Sequence, residues 1–346
     1  MPSTINEPRL IGIASFPESS TPTSKNEPLS TFMISLKNTI KKMATQLVSL
    51  PEVERLSPTV IRILGGNPGK VRSLNERAGL EFDCSDEVLG TNTYLVGKGR
   101  NRLLIDTGDG KESWIQNLKE TLEKEQATVT SCILTHWHPD HVGGVGHLLE
   151  YSPKTVIHKN SPDKGQTDIK DGQIFATEGA TLRAVHSPGH THDHMALVLE
   201  EENVMFTGDN VLGHGTAVFE DLVTYLNSLE RMRGLFSGKA YPGHGAVLED
   251  GPSRIGEYIR HRKERESQVI QVLKSAKNKP GVTVAIDEET DEWTSMEIVK
   301  IIYKDVPGNL HIPANGGIVQ ILNKLHSDDR VAKEQDRWKL KARAAL

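Results

Sequence analysis

The chain has 346 residues, 46 acidic and 41 basic side chains for a formal net charge of −5, 36% hydrophobic residues and two cysteines. This composition excludes fibrous, collagen-like and wholly disordered chains, and at roughly 150 residues per domain the length predicts about two domains. A net acidic chain is poorly matched to a phosphate backbone, and Cys84 and Cys132 are too few for a disulfide framework, so a reducing, cytoplasmic setting is expected.

Residues 1–50 are rich in Ser, Thr, Pro and Glu and too poor in apolar side chains to repay the cost of ordering, so a poorly ordered extension is expected, with one short amphipathic helix between Thr31 and Leu50. No apolar run approaches the ~18 to 20 residues of a membrane span, and no basic segment with an apolar core opens the chain, so neither secretion nor a membrane partner is expected. From Thr59 onward, TVIRIL, TYLVG, RLLID, VTSCILT, KTVIH, TLRAV, MALVLE and NVMFTG read as strands. Lys111 to Glu125, Val142 to Glu150 and Phe219 to Arg233 read as helices between them, so residues 51–250 are expected to form a layered α/β domain. Within it, residues 70–89, with Arg, Glu, Asp and a lone Cys84, are expected to be a surface loop without a catalytic role. The boundary falls near Asp250-Gly251-Pro252. Residues 251–346 then form a smaller helical domain, opened by a long exposed helix from Ser253 to Lys277 and closed by a mixed-charge tail, RVAKEQDRWKLKARAAL, that frays or forms a surface helix.

Eleven of the fourteen histidines lie between His136 and His244, where even spreading would place about four. The densest group is Thr135-His136-Trp137-His138-Pro139-Asp140-His141, between the strand ending at Leu134 and the helix starting near Val142. A loop can turn four such side chains toward one point, whereas an extended strand would split them between two faces. Imidazole and carboxylate suit a borderline cation such as Zn²⁺, held by three or four ligands, so one loop cannot complete the site. Further candidates follow predicted strands: His190 in SPGHTHDH, Asp209 in FTGDN and His244 in YPGHG. Gly189, Gly208, Gly243 and Gly245 beside them permit close backbone approach. Asp106 in LLIDTG has the same setting and is expected to order the ligand loops through hydrogen bonds. His194 is expected to support a ligand or touch substrate, and His214, on the loop after Asp209, to line the pocket mouth. His147, His158, His186, His261, His311 and His326 read as structural or solvated, and Cys132, inside a strand, as core.

The ordered set HxHxDH, His190, Asp209 and His244, with Asp106 upstream, resembles the metallo-β-lactamase superfamily over roughly Thr59 to Gly251. The resemblance implies an αβ/βα sandwich with the site along one edge and two metal ions. His136, His138 and His190 would hold the first ion, Asp140, His141 and His244 the second, and Asp209 would bridge them. Two divalent ions about 3.5 to 4 Å apart activate water and polarise the group under attack, so hydrolysis needs no Ser or Cys nucleophile. Asp140 is then the natural group to orient the water and carry its proton to the leaving group.

GTNTYLVG, GDNVLGHGTAVFEDL, AYPGHGAVLEDG and the later WTSMEIVKIIYKDVP are similar to a eukaryotic branch of that superfamily, over about Leu56 to Val331 and including a C-terminal winged-helix-like domain. The branch includes the lactamase-beta-2-like endoribonucleases and the fungal lactamase-like thioesterases of polyketide clusters, the atrochrysone carboxyl ACP thioesterase group. GDNVLGHGTAVFEDL is most similar to the thioesterases. This implies a zinc thioesterase of secondary metabolism that releases an aromatic polyketide, by hydrolysis or ring closure, from the acyl carrier protein of a non-reducing polyketide synthase. The alternative is a single-strand endoribonuclease using the same metals, for which Arg260, Arg262, Lys263 and Arg265 would form the basic patch. Net acidity and seventeen aromatic residues weigh against nucleic acid as the partner.

Overall fold

The computed structural model describes residues 50–66, 90–275, 292–306 and 308–341. Residues 1–49 of the N-terminal extension, Cys84 and all of the 70–89 insertion lie outside the described residues.

Strands β1 (Val53–Arg55), β2 (Val60–Leu64), β3 (Asn92–Val96), β4 (Asn101–Ile105), β5 (Thr128–Leu134), β6 (Val156–Lys159) and β7 (Thr167–Asp168) form one sheet in sequence order. Its first four strands are antiparallel, and β4 to β7 are parallel. Strands β8 (Ile174–Thr177), β9 (Ala180–His186), β10 (Met195–Leu199), β11 (Val204–Gly208) and β12 (Ala240–Pro242) form a second sheet in the order β12-β11-β10-β9-β8. Period-two alternation gives each sheet two apolar faces. Val96, Leu103, Ile105 and Ile133 face Leu182, Ala184, Leu197 and Phe206 of the second sheet in one shared core.

On the outer face of the first sheet, Ile61, Leu95, Leu104 and Cys132 pack on Trp114 and Leu118 of helix α1 (Glu112–Lys124). Cys132 is fully buried, and burial pushes its thiol well above the ordinary range, so it is core, as its sequence setting suggested. On the outer face of the second sheet, Val198 and Met205 pack on Tyr225 and Leu229 of α4 (Leu222–Arg233), the short helices α2 (Pro139–Val142) and α3 (Val145–Tyr151) having intervened in the chain. The result is the expected αβ/βα sandwich.

Asp250 opens helix α5 (Gly251–Lys274), its Oδ1 accepting the Ser253 N–H at 2.9 Å. The helix is less exposed than its charge suggested. Ile255, Tyr258, Ile259, Val269, Val272 and Leu273 make a buried stripe in the same core as Trp293, Ile298 and Leu322, which joins the last module to the sandwich. That module consists of β13 (Trp293–Thr294), α6 (Ser295–Ile302), α7 (His311–Ser327), β14 (Val331–Glu334) and β15 (Arg337–Leu340). The tail is therefore a β-hairpin and not a helix. Its pairing Glu334↔Arg337 buries Val331 and Trp338 against the helices, which a solvated helix would not do.

Candidate metal centre

The candidate ligands lie at one edge of the sandwich, on loops that follow strands and, for Asp140 and His141, in the short helix α2. His136, His138, Asp140 and His141 follow β5, His190 follows β9, Asp209 follows β11 and His244 follows β12. Among the described residues two groups of ligand atoms converge, His136, His138, His190 and Asp209 in one, and Asp140, His141 and His244 in the other, each within 4.8 Å. In the first, His138 Nδ1 stands 2.9 Å from His136 Nε2 and 3.1 Å from His190 Nε2, and the latter two are 3.3 Å apart. In the second, Asp140 Oδ2 is 3.2 Å from His244 Nε2 and 3.6 Å from His141 Nε2. Asp209 reaches both groups. Its Oδ2 lies 3.7 Å from His190 Nε2 and 3.3 Å from His244 Nε2, and its Oδ1 3.4 Å from His141 Nε2.

Proton bookkeeping tests whether a cation fits. His190 Nδ1 donates to the Val218 carbonyl at 2.7 Å, and His141 Nδ1 donates to Asp106 Oδ2 at 2.8 Å. Thr135 Oγ1 donates to Asp106 Oδ2 at 2.8 Å, so it accepts from His136 Nδ1 at 3.0 Å. Neutral rings with those protons turn bare Nε2 lone pairs toward the shared spaces. His141 Nε2 and Asp209 Oδ1 are buried without a hydrogen-bond partner. Bonds of ~2.0 to 2.1 Å at tetrahedral angles put ligand nitrogens about 3.3 Å apart, and these stand 2.9 to 3.3 Å apart, so the first group has the donor set, and nearly the spacing, that a Zn²⁺-type ion requires.

Electrostatics agree. Burial, reinforced by His190, pushes His138 down to about 4, and burial likewise depresses His136 and His194, which keeps these rings neutral. Burial opposes charge on His244 and His141 too, but the surrounding carboxylates, Asp209 foremost, outweigh it, raising His141 and pushing His244 up to about 10. Asp140 and Asp209 are correspondingly held well below the usual carboxylate range by these imidazoles, against the effect of burial. The second group thus calls for positive charge where a divalent ion would supply it.

The supporting residues are as informative. Asp106, at φ 60°, takes the Thr135 N–H on Oδ1 at 2.7 Å as well as the two bonds above, and so sets the loop and the His141 ring together. His194 is fully buried and meets no solvent, which removes it as a substrate contact. Its Nε2 accepts the Asp209 N–H at 3.1 Å while Ser187 Oγ lies 2.9 Å from Nδ1. Gly208 is held at φ 48°, where a Cβ would stand 2.5 Å from His194 Nε2, and a Cβ on Gly243 would stand 2.2 Å from Asp209 Oδ1. His214 is half-buried on the loop after Asp209, beside Gly245, and its Nε2 has no hydrogen-bond partner. His192 is exposed, and its carbonyl takes His186 Nε2 at 3.1 Å.

Two features lay beyond sequence reasoning. Thr91 Oγ1 donates to Asp140 Oδ2 at 3.0 Å, and Asn92 Nδ2 donates to the Pro242 and Gly245 carbonyls at 2.9 Å each, sewing the His244 loop to β3. Both residues stand in the GTNTYLVG segment, whose buried-strand pattern concealed a polar role. The second feature is a stripe on α5. Arg254 and Tyr258 both donate to the Gly215 carbonyl at 3.1 Å, and Arg262 donates to the Ala217 carbonyl at 2.8 Å while lying 4.7 Å over the Phe219 ring. That loop in turn meets His244 through the Gly213 N–H and His190 through the Val218 carbonyl. The expected basic patch is therefore engaged. Besides Arg262, Lys263 pairs with Glu230, Arg260 with Glu264, and Arg265 lies over Tyr303.

Residues 86–163 and 157–244 match the family profile described as "Metallo-beta-lactamase superfamily", and residues 294–338 that of the "Beta-lactamase associated winged helix domain". The lactamase-like protein adaB of Aspergillus niger is 44% identical over 84% of this chain and 89% of its own length. The chain belongs to the metallo-beta-lactamase superfamily. It is accordingly a hydrolase of the metallo-beta-lactamase type with an appended winged helix. Another relative, named atrochrysone carboxyl ACP thioesterase, from Aspergillus chevalieri, is 42% identical over 85% of this chain and 90% of its own length. In fold, the chain is similar to a beta-lactamase domain protein from Burkholderia ambifaria, with a TM-score of 0.64 over 85% of this chain and 95% of that one at 17% identity.

Proposed function

We propose that this hydrolase is a dinuclear zinc thioesterase that releases an aromatic polyketide from an acyl carrier protein. The observation that carries the reading is Asp209, whose carboxylate faces both ligand groups, in a chain 42% identical to a protein named for thioester release from a carrier protein. In this assignment His136, His138 and His190 hold one ion, Asp140, His141 and His244 the other, and Asp209 both. Two such ions supply Lewis-acid polarisation and an activated water at neutral pH.

The chain's own residues do the rest. Asp140 is the catalytic proton carrier: at 34% side-chain exposure it is more open than His141, His190, Asp209 or His244, and Thr91 and His244 fix its Oδ2. Its ionised carboxylate, open to the pocket, can accept a hydrogen bond from the attacking water and relay the proton released on attack to the departing thiolate. Asp106 and His194 set the orientation of His141 and Asp209, and His214 stands at the pocket mouth. The carrier protein would present its acyl arm to this edge. No helix among the described residues is long and apolar enough to cross a membrane, and two cysteines, one of them the buried Cys132, suit the cytoplasm.

The endoribonuclease reading is disfavoured, because the arginines it needs on α5 are committed to loop carbonyls, aromatic rings and acidic partners. The test is an acyl-loaded carrier protein mixed with the purified chain. Zn²⁺-dependent loss of the thioester, abolished in Asp140→Asn, is expected, and no loss with fully metallated protein would refute the proposal.

A further inference from the structure

Two buried charges near the metal edge have no part in the centre described above. Lys159, the last residue of β6, is 4% exposed, and Asp193, between His192 and His194, is fully buried. The Lys159 ammonium stands 2.7 Å from Asp193 Oδ2 and donates to the Asn160 and Ser161 carbonyls at 3.2 and 3.0 Å. Asp193 Oδ1 accepts the Thr191 hydroxyl at 2.7 Å, and Thr191 is fully buried as well.

Their placement ties the two sheets together where the ligands emerge. Lys159 is in register with Leu134, which ends β5 just before the HxHxDH loop. Asp193 lies just before β10, whose first N–H, that of Met195, donates to the Thr135 carbonyl at 2.8 Å. Thr191, which follows His190 directly, is held at its hydroxyl by Asp193 and at its carbonyl by the Gly189 N–H at 2.9 Å. Lys159 on the first sheet therefore reaches the neighbour of His190 through one carboxylate. A buried ion pair gains little over apolar side chains of similar size, so stability alone does not account for it. What a charge-assisted contact adds is a defined direction. The other ligand group has supports of its own: His141 leans on Asp106, Asp140 on Thr91 and the His244 loop on Asn92. His194 is anchored by Ser187, whose N–H meets its carbonyl at 2.9 Å. None of these bonds uses Lys159 or Asp193.

We propose that Lys159 and Asp193 are a positioning pair for His190. They hold its Nε2 at 3.1 Å from His138 Nδ1 and 3.3 Å from His136 Nε2, and so set the affinity of the first metal group and not of the second. The metal itself comes from the dinuclear reading above, whereas the placement of His190 is a property of the protein without it.

The test loads Co²⁺ into the full wild-type chain, Lys159→Met, the double variant Lys159→Met/Asp193→Asn, and His190→Ala. Each binding step is followed by chelator competition and by the visible spectrum of the ion, and His190→Ala identifies the step that belongs to the first group. Lys159→Met strands a buried carboxylate and is expected to be less stable. The double variant removes both charges and keeps an acceptor for Thr191, so it is expected to melt near the wild type. In it the first-group step should weaken about 10- to 100-fold with an altered spectrum, while the other step stays within about twofold. A folded double variant with both steps unchanged, or with both weakened alike, would overturn the proposal. Crystals of the metal-free double variant give a second readout, in which His190 Nε2 should leave hydrogen-bond distance of His138 Nδ1. An unmoved His190 ring would equally overturn the positioning role. A wild-type chain that binds no Co²⁺, with His190 displaced in the double variant, would refute the dinuclear reading and leave the positioning pair standing.

Discussion

Asp106 and His141 are joined by a 2.8 Å hydrogen bond from the imidazole Nδ1 to Oδ2, and the same carboxylate accepts the Thr135 N–H at 2.7 Å through Oδ1. One side chain at the end of β4 thereby fixes both the start of the ligand loop and the ring that ends it. Asp106→Asn keeps a residue tolerant of φ 60° but replaces an acceptor oxygen with an amide donor or removes the charge that orients His141. Metal affinity is expected to fall about 10- to 100-fold, measured by competition with a chelator, with the fold retained. Unchanged affinity would show that the bond does not position His141.

His194 supports Asp209 in the same manner from the opposite sheet. Its removal in His194→Ala leaves the Asp209 N–H without its acceptor and opens a cavity against Gly208 and Ser187. A loss of roughly 2 to 4 kcal/mol is expected from denaturant unfolding of the metal-free protein. Metal content should fall with it, because Asp209 loses its fixed backbone.

The stripe on α5 predicts a different phenotype. Arg262→Leu removes the 2.8 Å bond to the Ala217 carbonyl and the stacking on Phe219, but touches no candidate ligand. Metal content should stay as in the wild type, while KM rises about threefold to tenfold as the loop between His190 and His244 loosens. A variant that instead loses its metal would show that the loop holds the histidines and not the substrate.

Acid and base should both weaken the metal-free protein, for opposite reasons. His138, pushed down to about 4 from 6.5, leaves the unfolded chain binding more protons between those values, so stability is lost as pH falls through them. His244, pushed up to about 10, binds its proton in the folded state, so its contribution is complete below 6.5 and is lost as pH rises toward 10. The melting temperature of chelator-treated protein should therefore peak near neutrality. Saturating Zn²⁺ should raise it and remove the alkaline decline, since coordinated imidazoles are neutral throughout.

The candidate ligand set was legible in the sequence because each member follows a strand and stands beside a glycine or in a compact HxHxDH run, where chemistry is written locally. The α/β layering was legible for the same reason, since strand alternation is a short-range signal. Thr91 and Asn92 were not, because their partners are about 50 and 150 residues away and the surrounding strand is apolar. Arg254, Tyr258 and Arg262 were read as part of a charged helix, since spacing of four residues reveals a shared face but not the carbonyls it meets. The closing hairpin was missed because its turn, Gln335-Asp336, puts Gln335 at φ 55° without the glycine or asparagine that announces such a turn.

A pair of ions sharing Asp209 is decided by counting metal. Elemental analysis of the purified chain after Zn²⁺ loading and desalting should give about two ions per chain, and Asp209→Ala should lose most of both. One ion per chain in the wild type, or full loading of Asp209→Ala, would contradict the shared centre.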